Sequence, residues 1–368
     1  FNFLLFASIA ALLPFLVLHY QNLGFSGAQI GLLTGITPLI TLVSAPLWTN
    51  LADRTGRHNT VLAVILAGAC LDLVLFPFFH TFASVLFLVV VFNIFFGPLI
   101  SFANSASMAM LKDRRELYGR VRLGGTLGFG ITAAVTGGLY ERFGLETVFW
   151  ACALIMLLNL GISWKLEFDR APDSASSRRL WKAFLSRPHW LVFLALAFTG
   201  GAAISLVGNY LFPTIRALGG NGSLMGITLA AGTIAEIPLL IYSDRLLKRF
   251  KPGLLFKLAL LFSSIRAILY SLASTPSAFV WIHLLNGFSA PLFWTGGVAY
   301  ADEHAPAGLR TTAQGLFGAA VNGVGSAAGG FLGGLLLQAL GGQSLFFVSG
   351  SAILSFLVAV SLLQSAVR

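Results

Sequence analysis

Charge is scarce in this sequence. Only 10% of its 368 residues are Asp, Glu, Lys or Arg, against about 25% in a typical soluble domain. That shortfall excludes a water-soluble globular fold. Cysteine is almost missing as well. The two present, Cys70 and Cys152, both lie in apolar stretches, so they give neither a disulfide framework nor a metal-ligand spacing. The histidines add no ligand pair at metal spacing. No lysine stands in a Gly-Lys-Ser/Thr context, which removes a phosphate-cradling loop. No nucleophile–base constellation is visible either, so the sequence predicts neither an enzyme nor a bound cofactor or metal. The longest polar stretch, 167–189, is too short for the large soluble domain that a membrane sensor or scaffold would carry.

Hydrophobic residues fill the rest: 57% of the chain, with 33 Phe, 40 Gly and a mean hydropathy of +0.86. This composition predicts an all-α polytopic membrane protein. Apolar segments of about the 20 residues a bilayer crossing takes fall near 1–20, 27–50, 60–79, 82–104, 117–140, 146–166, 190–213, 222–242, 253–274, 276–301, 309–338 and 343–364. Twelve transmembrane helices are therefore expected. Phe1 already stands in an apolar run, so the native N-terminus is expected upstream and no signal peptide can be judged. The polar stretch 167–189 reads as a cytoplasmic linker between two pseudo-symmetric six-helix bundles, 1–166 and 190–368.

The formal net charge of +10 is distributed by side. With Arg122 and Lys257 counted in their adjoining loops, only Arg142 and Arg216 fall on the opposite face, and Arg266 lies inside a segment. The positive-inside rule then places both termini and the linker in the cytoplasm, in a multi-pass protein of the cell membrane. The basic excess is a topological signal, so the lipid bilayer is the expected partner and nucleic acid is not. A monomer is expected.

The halves echo each other. Asp53-Arg54-Thr55-Gly56-Arg57 follows segment 2, and Asp244-Arg245 with Lys248-Arg249 follows segment 8. Arg120 stands five residues before Gly125, and Arg310 five before Gly315. A parallel repeat of this size implies two bundles with a site between them near the midplane. Asp53, Arg54 and Arg57, and in the second half Asp244 and Arg245, are gating candidates: a carboxylate at a helix end can pair with arginines across a cytoplasmic helix interface and must release them when that side opens. Gly56 permits the tight turn. Ordinary positive-inside charge would explain the arginines but gives Asp53 no role.

Polar groups inside the segments are the other candidates. Arg120 and Arg122 enter a glycine-studded segment in which Gly124 and Gly128, four apart, with Gly125 and Gly130 close by, allow a neighbouring helix to approach closely. An arginine at the depth of Arg122 costs a few kcal/mol unless it faces a watery cavity or a partner; the rival reading is a snorkelling interface residue. Glu236 lies in mid-segment beside Pro238, which frees a backbone carbonyl. Asp72 in segment 3 is either a second titrating group or a hydrogen-bonded structural carboxyl. His283 and Asn286, three apart, share a helix face. Asn322 with Ser326, and Asn209 with Ser205, suit a polar cavity lining.

The Asp53-Arg54-x-Gly56-Arg57 pattern resembles the cytoplasmic loop motif of the major facilitator superfamily, with Thr49 in place of the family's leading glycine and His58 where a second basic residue is usual. Tyr118-Gly-Arg-Val-Arg-Leu-Gly-Gly-Thr-Leu-Gly-Phe129 is similar to segment 5 of the lactose permease and its relatives. Tyr300-Ala-Asp-Glu-His-Ala-Pro-Ala-Gly-Leu-Arg-Thr-Thr-Ala-Gln-Gly315 is similar to the nucleoside and phenylpropionate proton-symporter branch. The resemblance implies that Arg122 is the substrate-binding arginine, that Phe129 lies under the solute, and that Arg266 and His283 belong to proton coupling. It also puts Asn286 where that permease has its proton-carrying glutamate and Asn104 about where it has a substrate carboxylate, so the proton is expected on Glu236 instead. Segment 5 lacks the proline of drug-efflux relatives, and segment 4 lacks their arginine. The expectation is a secondary active transporter: proton-coupled symport of a small organic solute (sugar, nucleoside or aromatic acid) by alternating access. A proton-driven exporter or a facilitator is the alternative.

Overall fold

The computed structural model describes residues 1–112, 118–168, 187–306 and 309–366, nearly all of them helical and, among the described residues, none in a strand. The first half holds α1 (Asn2–Asn22), α2 (Gly27–Thr55), α3 (His58–Phe78), α4 (Phe82–Leu111), α5 (Tyr118–Phe143) and α6 (Thr147–Ser163). The second holds α7 (Pro188–Ala217), α8 (Gly222–Ile241), α9 (Pro252–Leu272) and α10, broken into Ala278–His283 and Asn286–Glu303. A short helix, Ser243–Arg249, links α8 to α9. α11 runs from Arg310–Gly318 through a π-helical turn, Ala319–Gly325, into the Ser326–Ala366 stretch, in which a left-handed Gly341 (φ 78°) divides α11 (310–340) from α12 (342–366).

Eight helices among the described residues are long and apolar enough to cross a membrane, the last of them the continuous Thr312–Leu363 stretch. The other expected segments are helical but fall short for visible reasons. α6 has 17 residues, α5 is diluted by glycine and threonine, and α10 is interrupted.

Caps and breaks follow from local chemistry. Ser26 and Gln29 form a reciprocal capping box at the start of α2, and Gly56 ends it at φ 65°. In α4 the break is Gly97-Pro98. Proline has no N–H for the carbonyl four residues back, and Trp48 Nε1 of α2 donates to that Ile94 oxygen at 2.9 Å. Ser44 Oγ donates to the neighbouring Asn93 oxygen at 3.2 Å.

The chain forms two compact units, Phe1–Ser174 with Gly220–Ala230, and Ala175–Gly219 with Ala231–Arg368. Residues 169–186, most of the expected linker, lie outside the described residues. Within the first unit α1 packs on α5. A Cβ at Gly125 would press on the Phe6 ring and one at Gly128 would overlap the Phe3 carbonyl, whereas Gly124 faces open space. Of the expected glycines the close approach therefore uses Gly125 and Gly128, while Gly124 is turned off the line of contact. The start of α8 belongs to the same unit. Glu141 of α5 accepts hydrogen bonds there from Asn221 Nδ2 at 2.9 Å and the Ser223 N–H at 3.0 Å. Hydrogen bonding from Ser223, side chain and backbone, holds the Glu141 carboxyl below the usual carboxylate range.

The second unit is built on an aromatic core of Trp190, Phe193, Phe256, Phe293 and Phe317, with the Phe193 and Phe317 rings stacked at 5.5 Å. α7 and α11 meet backbone to backbone, since a Cβ at Gly201 would strike the Val321 carbonyl and one at Gly329 the Ala202 carbonyl.

Candidate functional site

The second unit gathers the polar groups of α8, α9 and α10. Glycine makes this possible: a Cβ at Gly287 would overlap the Ala235 carbonyl, and one at Gly232 would strike the His283 ring. α10 stops at His283 and restarts at Asn286, so those two side chains serve different neighbours and not one shared face. His283 Nδ1 hydrogen-bonds the Tyr270 hydroxyl. Tyr270 is itself held between the rings of Phe279 at 5.1 Å and Phe346 at 5.2 Å. Asn286 joins two charges. Arg266 Nη1 donates to Asn286 Oδ1, and Asn286 Nδ2 donates to Glu236 Oε1.

Arg266 is 4% exposed, and its Nε has no hydrogen-bond partner. A guanidinium and a carboxylate are thus bridged inside a membrane unit by one amide. Sequence reasoning placed Glu236, Arg266, His283 and Asn286 in one neighbourhood, and the structure brings them together. It missed the bridging role of Asn286, which was read as a lost glutamate, and it missed Tyr270. Such an arrangement can exchange a proton. Protonating Glu236 would remove the charge that Asn286 presents to Arg266 and leave the buried cation with the neutral amide oxygen as its acceptor.

In the first unit Arg122 is exposed, with its guanidinium carbon 4.4 Å from the centroid of the Phe6 ring of α1. Cation–π stacking of this kind orients a guanidinium without using its hydrogen-bond fork. Phe129 and Asn104 are half-buried on α5 and α4. Nearby elements supply groups that the sequence did not flag: Asn2 Nδ2 donates to Ser107 Oγ at 2.8 Å, tying α1 to α4. A lone amide in the otherwise apolar first segment was the available signal. Asn209 Nδ2 donates to the Ser205 carbonyl at 2.8 Å and to its hydroxyl at 3.1 Å, a pairing within its own helix. Asn322 is exposed on the π-helical turn of α11, where Ser326 Oγ donates to the Val321 carbonyl at 2.9 Å. Asp72 is buried on α3.

The loop candidates arrange differently from expectation. Asp53 Oδ1 lies 2.9 Å from His58 Nε2 across the Gly56 turn, and among the described residues no arginine pairs with it. The Gly56 turn folds the chain back within five residues and brings His58 to Asp53. The His58 ring stacks on Phe168 at 5.1 Å. Arg54 and Arg57 are exposed, and Arg245 lies 5.0 Å above the Tyr242 ring. The side chains of Arg120 and Asp244 lie outside the described residues.

Residues 1–348 match the MFS_1 like family. The chain is 28% identical to the maltose permease of Geobacillus stearothermophilus over 353 residues, 94% of this chain and 89% of that protein. It is also 28% identical to a probable 3-phenylpropionic acid transporter of Escherichia coli (strain K12), over 67% of this chain and 66% of that one. Among solved structures, the nucleoside transporter NupG superposes with a TM-score of 0.85 at 16% identity, covering 97% of this chain and 96% of that chain.

Proposed function

The chain belongs to the MFS_1 like family of the major facilitator superfamily, a multi-pass membrane transporter and not an enzyme, and from that premise we propose that it performs proton-coupled symport of a small organic solute. The relatives carry names that span a sugar, nucleosides and an aromatic acid, and the solute of this protein is drawn from those classes. Twelve membrane crossings with both termini in the cytoplasm, and alternating access by two six-helix bundles, complete the reading.

The observation that carries it is the bridge Arg266–Asn286–Glu236. Asn286 gives the guanidinium a neutral acceptor that persists whether the Glu236 carboxyl is charged or protonated. Arg122 and Phe129 on α5, with Asn104 on α4, form the solute-binding side in the first unit. Asp53 and His58, with Arg54 and Arg57, act at the cytoplasmic gate of that unit, and Arg245 with Asp244 at the gate of the other.

Purified protein in proteoliposomes tests the proposal. An inward proton gradient should drive accumulation of one member of a panel of maltose, a nucleoside and 3-phenylpropionate, and a protonophore should abolish it. Uptake that only equilibrates the solute identifies a facilitator. Accumulation driven by the opposite gradient identifies an exporter. Either result sinks symport.

A further inference from the structure

We propose that Asp72 is a second proton-binding site, carried by the first unit and separate from the Glu236 group, and that it holds its proton as a neutral carboxylic acid in this conformation. Asp72 is 3% exposed and its Oδ2 has no hydrogen-bond partner. Among the described residues no ion pair reaches it. An ionised carboxylate in such a place carries a penalty of several kcal/mol with no ion pair among the described residues to offset it, and a group so placed neutralises.

Among the described residues the surroundings supply no fixed cation. Tyr20 of α1 is in electrostatic reach of Asp72. Beside it His19, 7% exposed with Nε2 unpartnered, packs edge-on against Phe149 at 4.9 Å and against Phe76 of α3 at 5.9 Å. His80, past the end of α3, interacts with His19. Of the helices packed on α3, α6 offers only Cys152, which donates to the Ser8 carbonyl. α2 has its charges, Asp53 and Arg54, at its far end, and α4 has none. Asp72, His19, Tyr20 and Cys152 are thus buried titratable groups of this unit, and Asp72 is the carboxyl among them.

Both helices that carry them are broken one turn or so away. α1 has a 3-10 turn at Leu13–Phe15 around Pro14, and α3 has one at Phe76–Phe78 around Pro77. Each proline removes a backbone hydrogen bond, and interrupted helices at membrane depth are where transporters place ion sites. Movement at these breaks opens Asp72 to water. The O–H bond then breaks, the proton passes to water and the electron pair stays on the carboxylate.

The test is infrared spectroscopy of purified protein in lipid, labelled with carboxyl-13C aspartate. Asp72 is the one aspartate within an apolar segment; Asp53, Asp113, Asp169, Asp173, Asp244 and Asp302 flank the segments. At neutral pH the wild type should show a protonated-acid carbonyl band that shifts on labelling. That band should vanish in Asp72→Asn and survive in Glu236→Gln. A labelled wild type without the band overturns the proposal, and so does a band that Asp72→Asn retains. The wild-type arm needs no variant to fold, and no arm uses transport, so failure here is distinct from failure of the symport reading.

Discussion

Asn286→Leu is the sharpest perturbation of the bridge. Leucine keeps the volume and removes both hydrogen bonds, one from the Arg266 guanidinium and one to the Glu236 carboxylate. Hydrogen bonds to charged groups contribute about 1.5–3 kcal/mol each, which makes the pair worth about 3–6 kcal/mol. Stranding a buried charge independently gives about 3–5 kcal/mol, and Arg266 already has one buried N–H without a partner. The two routes agree on a destabilisation of about 4 kcal/mol. Heat unfolding in detergent can be followed by a thiol-reactive dye, because Cys152 is fully buried and reacts only once the fold opens. A double-mutant cycle of Arg266→Met and Glu236→Gln should show coupling of about 0.5–3 kcal/mol in the wild type and almost none in the Asn286→Leu background. Wild-type stability in Asn286→Leu, or coupling unchanged in that background, would refute the bridge.

Other expectations follow from single features. Arg122→Lys keeps charge but loses the planar fork, so substrate affinity should fall by an order of magnitude or more, on the scale of about 1.4 kcal/mol per tenfold; normal transport kinetics would reduce Arg122 to an interface anchor. Gly128→Val should lower stability by at least 1–3 kcal/mol, the usual overpacking penalty of about that size, since its Cβ would overlap the Phe3 backbone, while Gly124→Val should leave the melting temperature alone. The Glu141 carboxyl is depressed, chiefly by hydrogen bonding from Ser223. A depressed acid stabilises above its unfolded value near 4.5 and loses that contribution as pH falls through its folded value. Hydrogen exchange at the Ser223 amide should therefore stay slow from neutral pH to below 4.5 and quicken only under stronger acid; protection lost near neutrality would contradict this.

The sequence was most informative where one residue type dominates an environment. Scarce charge and long apolar runs announced helices in a membrane, and Glu236, Arg266 and His283 stood out because an ionisable group in such a run needs a reason. Pairings were harder to read. Asn286 looked like a loss because an amide cannot titrate, and only the break in α10 shows it turned toward Arg266 and Glu236 while His283 turns toward Tyr270. Gly124 and Gly128 satisfied a spacing rule, but the rotation of α5 about its axis is set by Phe3 and Phe6 of another helix. Asp53 found His58 and not an arginine because the Gly56 turn brings position 58 back upon it, a geometry that spacing alone does not reveal. The π-helical turn around Asn322 left no mark in the composition at all.

Glu236→Gln tests the central claim most directly. Glutamine mimics the protonated acid and keeps an oxygen to accept from Asn286, so the bridge and the fold should survive. In proteoliposomes the variant should exchange labelled for unlabelled solute at near wild-type rates, with no net proton movement, while uphill accumulation under an imposed proton gradient is lost. Accumulation that persists in Glu236→Gln would show that the proton rides elsewhere and would contradict the account.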